Sequence, residues 1–321
     1  MRIASRVFCS LGAGALLLWS GCGDDGSSDG SEPSTGMENS TSTTGAGLDS
    51  TDGGSSPSGS LLESSSSSFG AGATETTGSA GESSEVSSGG TAGVTPDVRV
   101  LFLGNSYTQF NGMTDMVAAL AADAGSEFEV VAITQGGATV ADLLARRDVQ
   151  TTVAEPDWDF VVIQGQSYEP LLQPLVFEDA AVELAGLVSV AGAEPVFFET
   201  WARVAGHELY DQPWSGGDPA GMQALLHAAY GAASDASGGT LAPAGQGWAL
   251  CVDGSPEIVL HSGDGSHPSV AGSYLAAAVF YAVMSEGPVE GNGWWPDALA
   301  AMDAETLQGC ADAAVLAVAQ N

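Results

Sequence analysis

Ser106 follows the apolar run Arg99-Val100-Leu101-Phe102-Leu103 through Gly104 and Asn105, and His267 stands three residues after Asp264. A serine hydroxyl is a poor nucleophile until a base takes its proton. A histidine oriented by a carboxylate is such a base. Ser106, His267 and Asp264 are therefore read as nucleophile, base and orienting acid. His207, His227 and His261 are the other histidines. His227 falls inside an expected helix. His261 is the main competitor, and His267 is preferred because a tight turn would let Asp264 hold its tautomer.

Two further segments fit a developing oxyanion. Gln135-Gly136-Gly137-Ala138-Thr139 offers the Gly137 N–H, with Gly136 as an alternative donor, and glycine lets a substrate approach the backbone closely. Val161-Val162-Ile163-Gln164-Gly165-Gln166-Ser167 offers the side-chain amide of Gln166. The N–H of Ser106 itself would be the third donor of the oxyanion hole.

These residues need a scaffold. Val98 to Leu103, Glu127 to Thr134, Asp159 to Gln164 and Pro195 to Glu199 read as strands, and Thr240 to Ala242 as a short one. Met113 to Ala124, Val140 to Arg146, Glu178 to Val190, Gly221 to Ala236, Val270 to Ser285 and Thr306 to Ala319 read as helices. Strands alternating with helices imply an α/β fold with a parallel sheet covered on both faces. Such sheets bind ligands beyond the carboxyl ends of their strands. Ser106, Gly137 and Gln166 each lie just past an expected strand, so they share one edge.

The chain is three kinds of sequence. Residues 1–22 read as a secretory signal, with Arg2 and Arg6 before an apolar stretch, Leu11 to Trp19, too short to span a bilayer. Leu18-Trp19-Ser20-Gly21-Cys22 resembles a bacterial lipobox, with Trp19 where leucine is usual, so Cys22 is the expected lipidation site. Residues 23–95 are Ser, Gly, Thr and acidic side chains without a single cation, and are expected to form a disordered tether. Residues 96–321 are long enough for one domain with a full core.

The formal net charge is −34, and the only fixed cations are six arginines. Such a surface repels phosphate backbones, which excludes nucleic acid as a partner. It also disfavours polyanionic substrates unless Arg146, Arg147 or Arg203 is placed locally. No Cys/His spacing suggests a metal site. Cys251 and Cys310 could form a disulfide tying a late loop to the C-terminal helix; two separate buried thiols is the other reading.

At the residues quoted, the chain is similar to the SGNH (GDSL-like) hydrolase superfamily of esterases and lipases, over about residues 98–320. Gly104-Asn105-Ser106 resembles its first block, with Asn in place of the name-giving Asp. Gly137 matches the second block, and Asp264 with His267 the last. The third block departs, since the family usually carries Asn in Gly-x-Asn-Asp, where Gln164-Gly165-Gln166-Ser167 stands here. Some lineages look similar there, and Phe198-Glu199-Thr200-Trp201-Ala202-Arg203 and Ala242-Pro243-Ala244-Gly245 also resemble that branch. The resemblance implies a three-layer α/β/α sandwich of flavodoxin-like topology and a Ser-His-Asp triad with no metal or cofactor. It further implies hydrolysis of carboxylic esters through an acyl-enzyme.

The expected activity is thus that of a serine esterase acting on a small-molecule or carbohydrate ester. It would be held at the envelope of a bacterium, at the outer membrane or cell surface, by its N-terminal lipid alone. Activity should rise with pH as the base loses its proton. Trp201, Trp214, Trp248, Trp294 and Trp295 could stack on sugar rings, although tryptophans are more often core. A surface binding protein with a degenerate site and an acyltransferase on the same fold are the alternatives.

Overall fold

Along β1 (Val98–Gly104) successive side chains leave opposite faces of the sheet. Val100 and Phe102 enter one apolar core, and Leu101 and Leu103 enter the other. The computed structural model describes residues 96–320. Within them β1, β2 (Phe128–Thr134), β3 (Phe160–Ile163), β4 (Glu194–Phe198) and β5 (Thr240–Ala242) form one sheet in the order β2-β1-β3-β4-β5, every pair parallel. Strands β3 and β4 repeat the division. Val162, Val196 and Phe198 face the first core, whereas Val161, Ile163 and Phe197 face the second.

Helices cover both faces, giving the three layers. The short α1 (Ser106–Gln109) follows β1, and α2 (Met113–Asp123) leads to β2. Between β2 and β3 lie α3 (Val140–Ala145) and α4 (Arg147–Val153), and between β3 and β4 lie α5 (Glu169–Leu172) and α6 (Pro174–Ala191). Helix α7 (Pro219–Ser237) precedes β5, and α8 (Ala244–Gly254), α9 (Val270–Ser285) and α10 (Ala301–Ala319) follow it. The first core is filled from α2, α8, α9 and α10, and the second from α3, α4, α6 and α7. Helix α9 is apolar on nearly every side and is buried from Gly272 to Ala282, as a helix without a polar face must be.

Strand order reverses between β1 and β3, since the chain leaves β1 for β2 on one side and returns to β3 on the other. That switch point is where a parallel sheet opens a crevice at its carboxyl edge. Ser106 and Gln166 are the residues that emerge there.

Several elements differ from those read in the sequence. Ser106, expected in a turn, opens α1, with Asn105 as its cap. Helices α4 and α8 occupy stretches where no element was expected, and α6 and α10 begin earlier than their apolar spacing suggests. Cys251 therefore sits in α8 rather than in a loop. It is bonded to Cys310 of α10, with the Cα atoms 5.8 Å apart. The signal at 1–22 with Cys22, and the tether at 23–95, lie outside the described residues.

Candidate active site

The Ser106 Oγ lies 2.9 Å from His267 Nε2, and His267 Nδ1 lies 2.6 Å from Asp264 Oδ2. The Nδ1 proton is engaged by Asp264, which leaves Nε2 as the acceptor for the serine proton. Asp264 is held in turn by its other oxygen. Oδ1 accepts from the Ser262 hydroxyl at 2.8 Å and from the backbone N–H groups of Ser266 and His267, both at 2.9 Å. Desolvation pushes the Asp264 carboxyl up. The hydrogen bonds from His267, Ser266 and Ser262 outweigh it and hold the group well below the usual carboxylate range. Asp264 thus stays ionised beside the imidazole.

The imidazole is also gripped by rings. Phe110 lies flat on His267 with centroids 4.4 Å apart, and Tyr107 meets it edge-on at 5.5 Å. Tyr107 stacks on Trp201 at 4.6 Å, and Trp201 on Trp248 at 3.9 Å. This buried stack forms a stiff floor, and Trp201 Nε1 donates to the Ser266 carbonyl at 3.0 Å. Trp201 and Trp248 are therefore core, not sugar platforms. Asn111, with φ of 55°, donates its amide to the Pro268 and Ser269 carbonyls, tying the nucleophile segment to the histidine loop.

Four buried polar side chains bring the Gly137 and Gln166 segments to Ser106. Asn105 Nδ2 donates to the Ala138 carbonyl at 3.1 Å and to the Gly165 carbonyl at 3.3 Å, so one amide joins the turns after β1, β2 and β3. Glu169 accepts from the N–H of Gln166 at 2.9 Å and from that of Val140 at 3.1 Å, joining the second and third turns again. Burial pushes the Glu169 carboxyl up, and those two backbone hydrogen bonds oppose the shift. Arg203 donates to the Tyr107 hydroxyl and, at 2.7 Å, to the Ser167 hydroxyl, bracing the nucleophile against the third turn. Gln164 supports the same corner from below, accepting from the Asn105 N–H at 2.9 Å and the Thr108 hydroxyl at 3.0 Å.

The backbone N–H groups of Ser106 and Gly137 make no hydrogen bond among the described residues. Gly137 has φ of 69°, which only glycine adopts freely, and the space where a Cβ would stand is open. Gln166 is fixed through its oxygen, since Oε1 accepts from the N–H groups of Tyr168 at 2.9 Å and Glu169 at 3.1 Å. That commitment identifies which end of the amide is oxygen and leaves Nε2 with unspent donors.

The remaining histidines sit elsewhere. His261 faces the Ala202 carbonyl at 2.9 Å, and its backbone forms an isolated antiparallel bridge with Pro268. Desolvation lowers its proton affinity. It braces the histidine loop without reaching Ser106. His227, on α7, pairs with the buried Glu199 at 2.8 Å.

No family model matches the chain, and no curated protein matches it either. Solved structures do. One is a protein from Slackia heliotrinireducens assigned to the SGNH hydrolases, 35% identical, with a TM-score of 0.51 over 58% of this chain and 98% of that one. The chain belongs to the SGNH (GDSL-like) hydrolase superfamily. A DUF4886 family protein from Bacteroides uniformis, 18% identical, shares the fold at a TM-score of 0.58 over 68% of this chain and 95% of that one.

In this SGNH hydrolase the four motif segments converge on the carboxyl edge of β1, β2 and β3. The sequence did not announce the clamps. Glu169 and Arg203 lie outside those segments, and the sequence pointed to Arg203 only as a possible cation for an anionic substrate and as part of a stretch resembling one branch. A buried charge is rare without a partner or a task, but burial is not visible in a sequence. Of the cations considered for an anionic substrate, Arg146 is paired with Asp148 and Arg203 is enclosed behind Tyr107.

Proposed function

We propose that the protein is a serine esterase, cleaving carboxylic esters through an acyl-enzyme on Ser106. The observation that carries this reading is the continuous hydrogen-bonded series from Ser106 through His267 to Asp264. Ser106 Oγ attacks the ester carbonyl carbon while His267 Nε2 takes its proton. The carbonyl oxygen becomes an oxyanion facing the N–H groups of Ser106 and Gly137 and the amide of Gln166. Collapse breaks the bond to the alkoxide, and His267 returns the proton to it, releasing the alcohol. Water then attacks the acyl-enzyme with His267 as base. The carboxylic acid leaves and Ser106 is restored.

The intact triad weighs against a degenerate binding protein. Partial exposure of His267 and Asp264, 28% and 50% at the side chain, gives water a way to the acyl-enzyme and favours a hydrolase over an acyltransferase. The substrate class we favour is an O-acyl group on a small molecule or carbohydrate. Lipidated at Cys22 and carried on the tether of residues 23–95, the domain would work at a bacterial envelope surface.

The test is hydrolysis of 4-nitrophenyl acetate and butyrate by the protein, by Ser106→Ala and by His267→Ala. Turnover abolished in both variants supports the reading, and the ratio of the two esters measures the acyl pocket. Equal turnover in all three proteins overturns it.

A further inference from the structure

Beside the triad the fold builds a second feature that ester cleavage does not use. Loop residues 207–214 and α5 border an open cleft of about 430 Å³, lined by Tyr168, Trp214, His207, Leu209, Asp211 and Gln212. Its walls are continuous with the catalytic loops. Tyr168 stands two residues after Gln166, whose oxygen receives its N–H. On the other side Val204 donates its N–H to the Gly265 carbonyl at 3.0 Å, and a Cβ on Gly265 would come within 3.4 Å of the His207 ring. The cleft therefore borders both the Gln166 loop and the histidine loop.

Its lining combines two kinds of surface. Tyr168 and Trp214 form a tilted aromatic pair with centroids 5.4 Å apart, and the Arg203 guanidinium lies 5.9 Å from the Tyr168 ring. Around the pair stand unspent polar groups. Among the described residues the Tyr168 hydroxyl, the Trp214 indole N–H and the side chains of Asp211 and Gln212 make no hydrogen bond. His207 Nδ1 accepts from the Leu209 N–H at 3.0 Å, so a neutral ring carries its proton on Nε2, free to donate. Glu208 adds a second exposed carboxylate.

We infer that this cleft is a subsite for a neutral sugar ring, the alcohol side of a glycosyl ester whose acyl group lies at Ser106. Aromatic faces take the C–H faces of a sugar, and carboxylates and amides take its hydroxyls. Two carboxylates and the −34 charge of the chain exclude uronates and phosphates. Of the tryptophans that the sequence offered, Trp201 and Trp248 are buried, Trp294 and Trp295 are half-buried against the first core, and the half-buried Trp214 is the one that lines this cleft. The inference takes its acyl chemistry from the esterase reading, but the cleft binds a sugar whether or not Ser106 reacts.

Two measurements on the full chain separate these layers. Cellobiose, which carries no ester, is titrated into Ser106→Ala, into Ser106→Ala/Trp214→Ala and into Ser106→Ala/Asp211→Ala, with saturation-transfer NMR as readout. Binding to the first and a loss of about tenfold or more in each of the others is expected, with galacturonic acid weaker than cellobiose throughout. Absence of cellobiose binding to Ser106→Ala, or equal binding to all three proteins, overturns the subsite. Because Asp211 is an exposed surface carboxylate, its variant guards against a folding failure at Trp214.

The second measurement is kcat/KM for 6-O-acetylglucose, which keeps its other hydroxyls, against 4-nitrophenyl acetate. Trp214→Ala should lose about tenfold on the sugar ester alone. An equal effect on both esters contradicts the subsite. Absence of turnover on either ester in the wild-type chain refutes the esterase reading and leaves the cellobiose result to judge the cleft.

Discussion

Asn105 Nδ2 donates to the Ala138 carbonyl at 3.1 Å, and through that bond the residue before the nucleophile fixes the turn that carries Gly137. Its Oδ1 accepts the Tyr107 N–H at 3.1 Å, so the side chain caps α1 as it ties the loops. Substituting Asn105→Asp keeps the cap and removes both donors, placing a carboxylate oxygen against two carbonyls. The Gly165 carbonyl keeps the Gln164 side-chain amide as a donor, but the buried Ala138 carbonyl loses its own, which should cost about 1–3 kcal/mol. We expect kcat to fall by about tenfold or more and the melting temperature to drop. Unchanged kcat would show that Asn105 does not position the site.

Gln166 has two duties, and a single substitution separates them. Gln166→Glu keeps an oxygen for the Tyr168 and Glu169 N–H groups but removes the amide donors. Loss of one oxyanion donor costs about 10²–10³ in rate, so kcat should fall by that factor while KM and the melting temperature change little. Wild-type kcat in this variant would remove Gln166 from the oxyanion hole.

The Cys251–Cys310 bond closes a loop of 59 residues between α8 and α10. Chain-entropy arguments put such a cross-link at about 4 kcal/mol. Cys251→Ser should therefore lower stability by about 2–4 kcal/mol in denaturant melts while leaving kcat intact, since neither helix carries a triad residue. A loss below about 0.5 kcal/mol would mean that the bond contributes little.

His227 sets a pH dependence apart from catalysis. Its hydrogen bond to the buried Glu199 outweighs desolvation and raises its proton affinity above the ordinary value of 6.5. A raised folded-state value means that the pair's stabilisation is complete below the unfolded value and fades as pH climbs through the folded one. The side chain is 40% exposed, so solvent screening keeps the effect modest. Melting curves of wild type and His227→Gln should differ most below the ordinary histidine value of 6.5 and converge as pH rises above the raised folded-state value. A constant gap would assign the loss to packing instead.

Strands and the four motif segments were legible because each is encoded locally. Val98 to Leu103 is an apolar run ended by glycine, and Val270 to Ser285 was bounded in the sequence where the structure bounds it. Helix α8 was hidden by Gly245, Gly247 and Gly254, which read as a loop. Gly245 is there because a Cβ would strike the Gln223 amide and the Thr200 carbonyl, a contact across the fold. Helix α4 is rich in Thr and Val, which have little helical preference, and takes its shape from burying Val149 and Val153. The triad was read from type and spacing. The clamps Glu169 and Arg203 were not, because their partners are up to 96 residues away.

The central claim is that Ser106 is the nucleophile activated by His267. A fluorophosphonate probe tests it without knowledge of the substrate. Peptide mass spectrometry of the labelled protein should place one adduct on Ser106, with no label in Ser106→Ala and much slower labelling in His267→Ala. An adduct on another residue, or labelling that His267→Ala leaves unchanged, would contradict it.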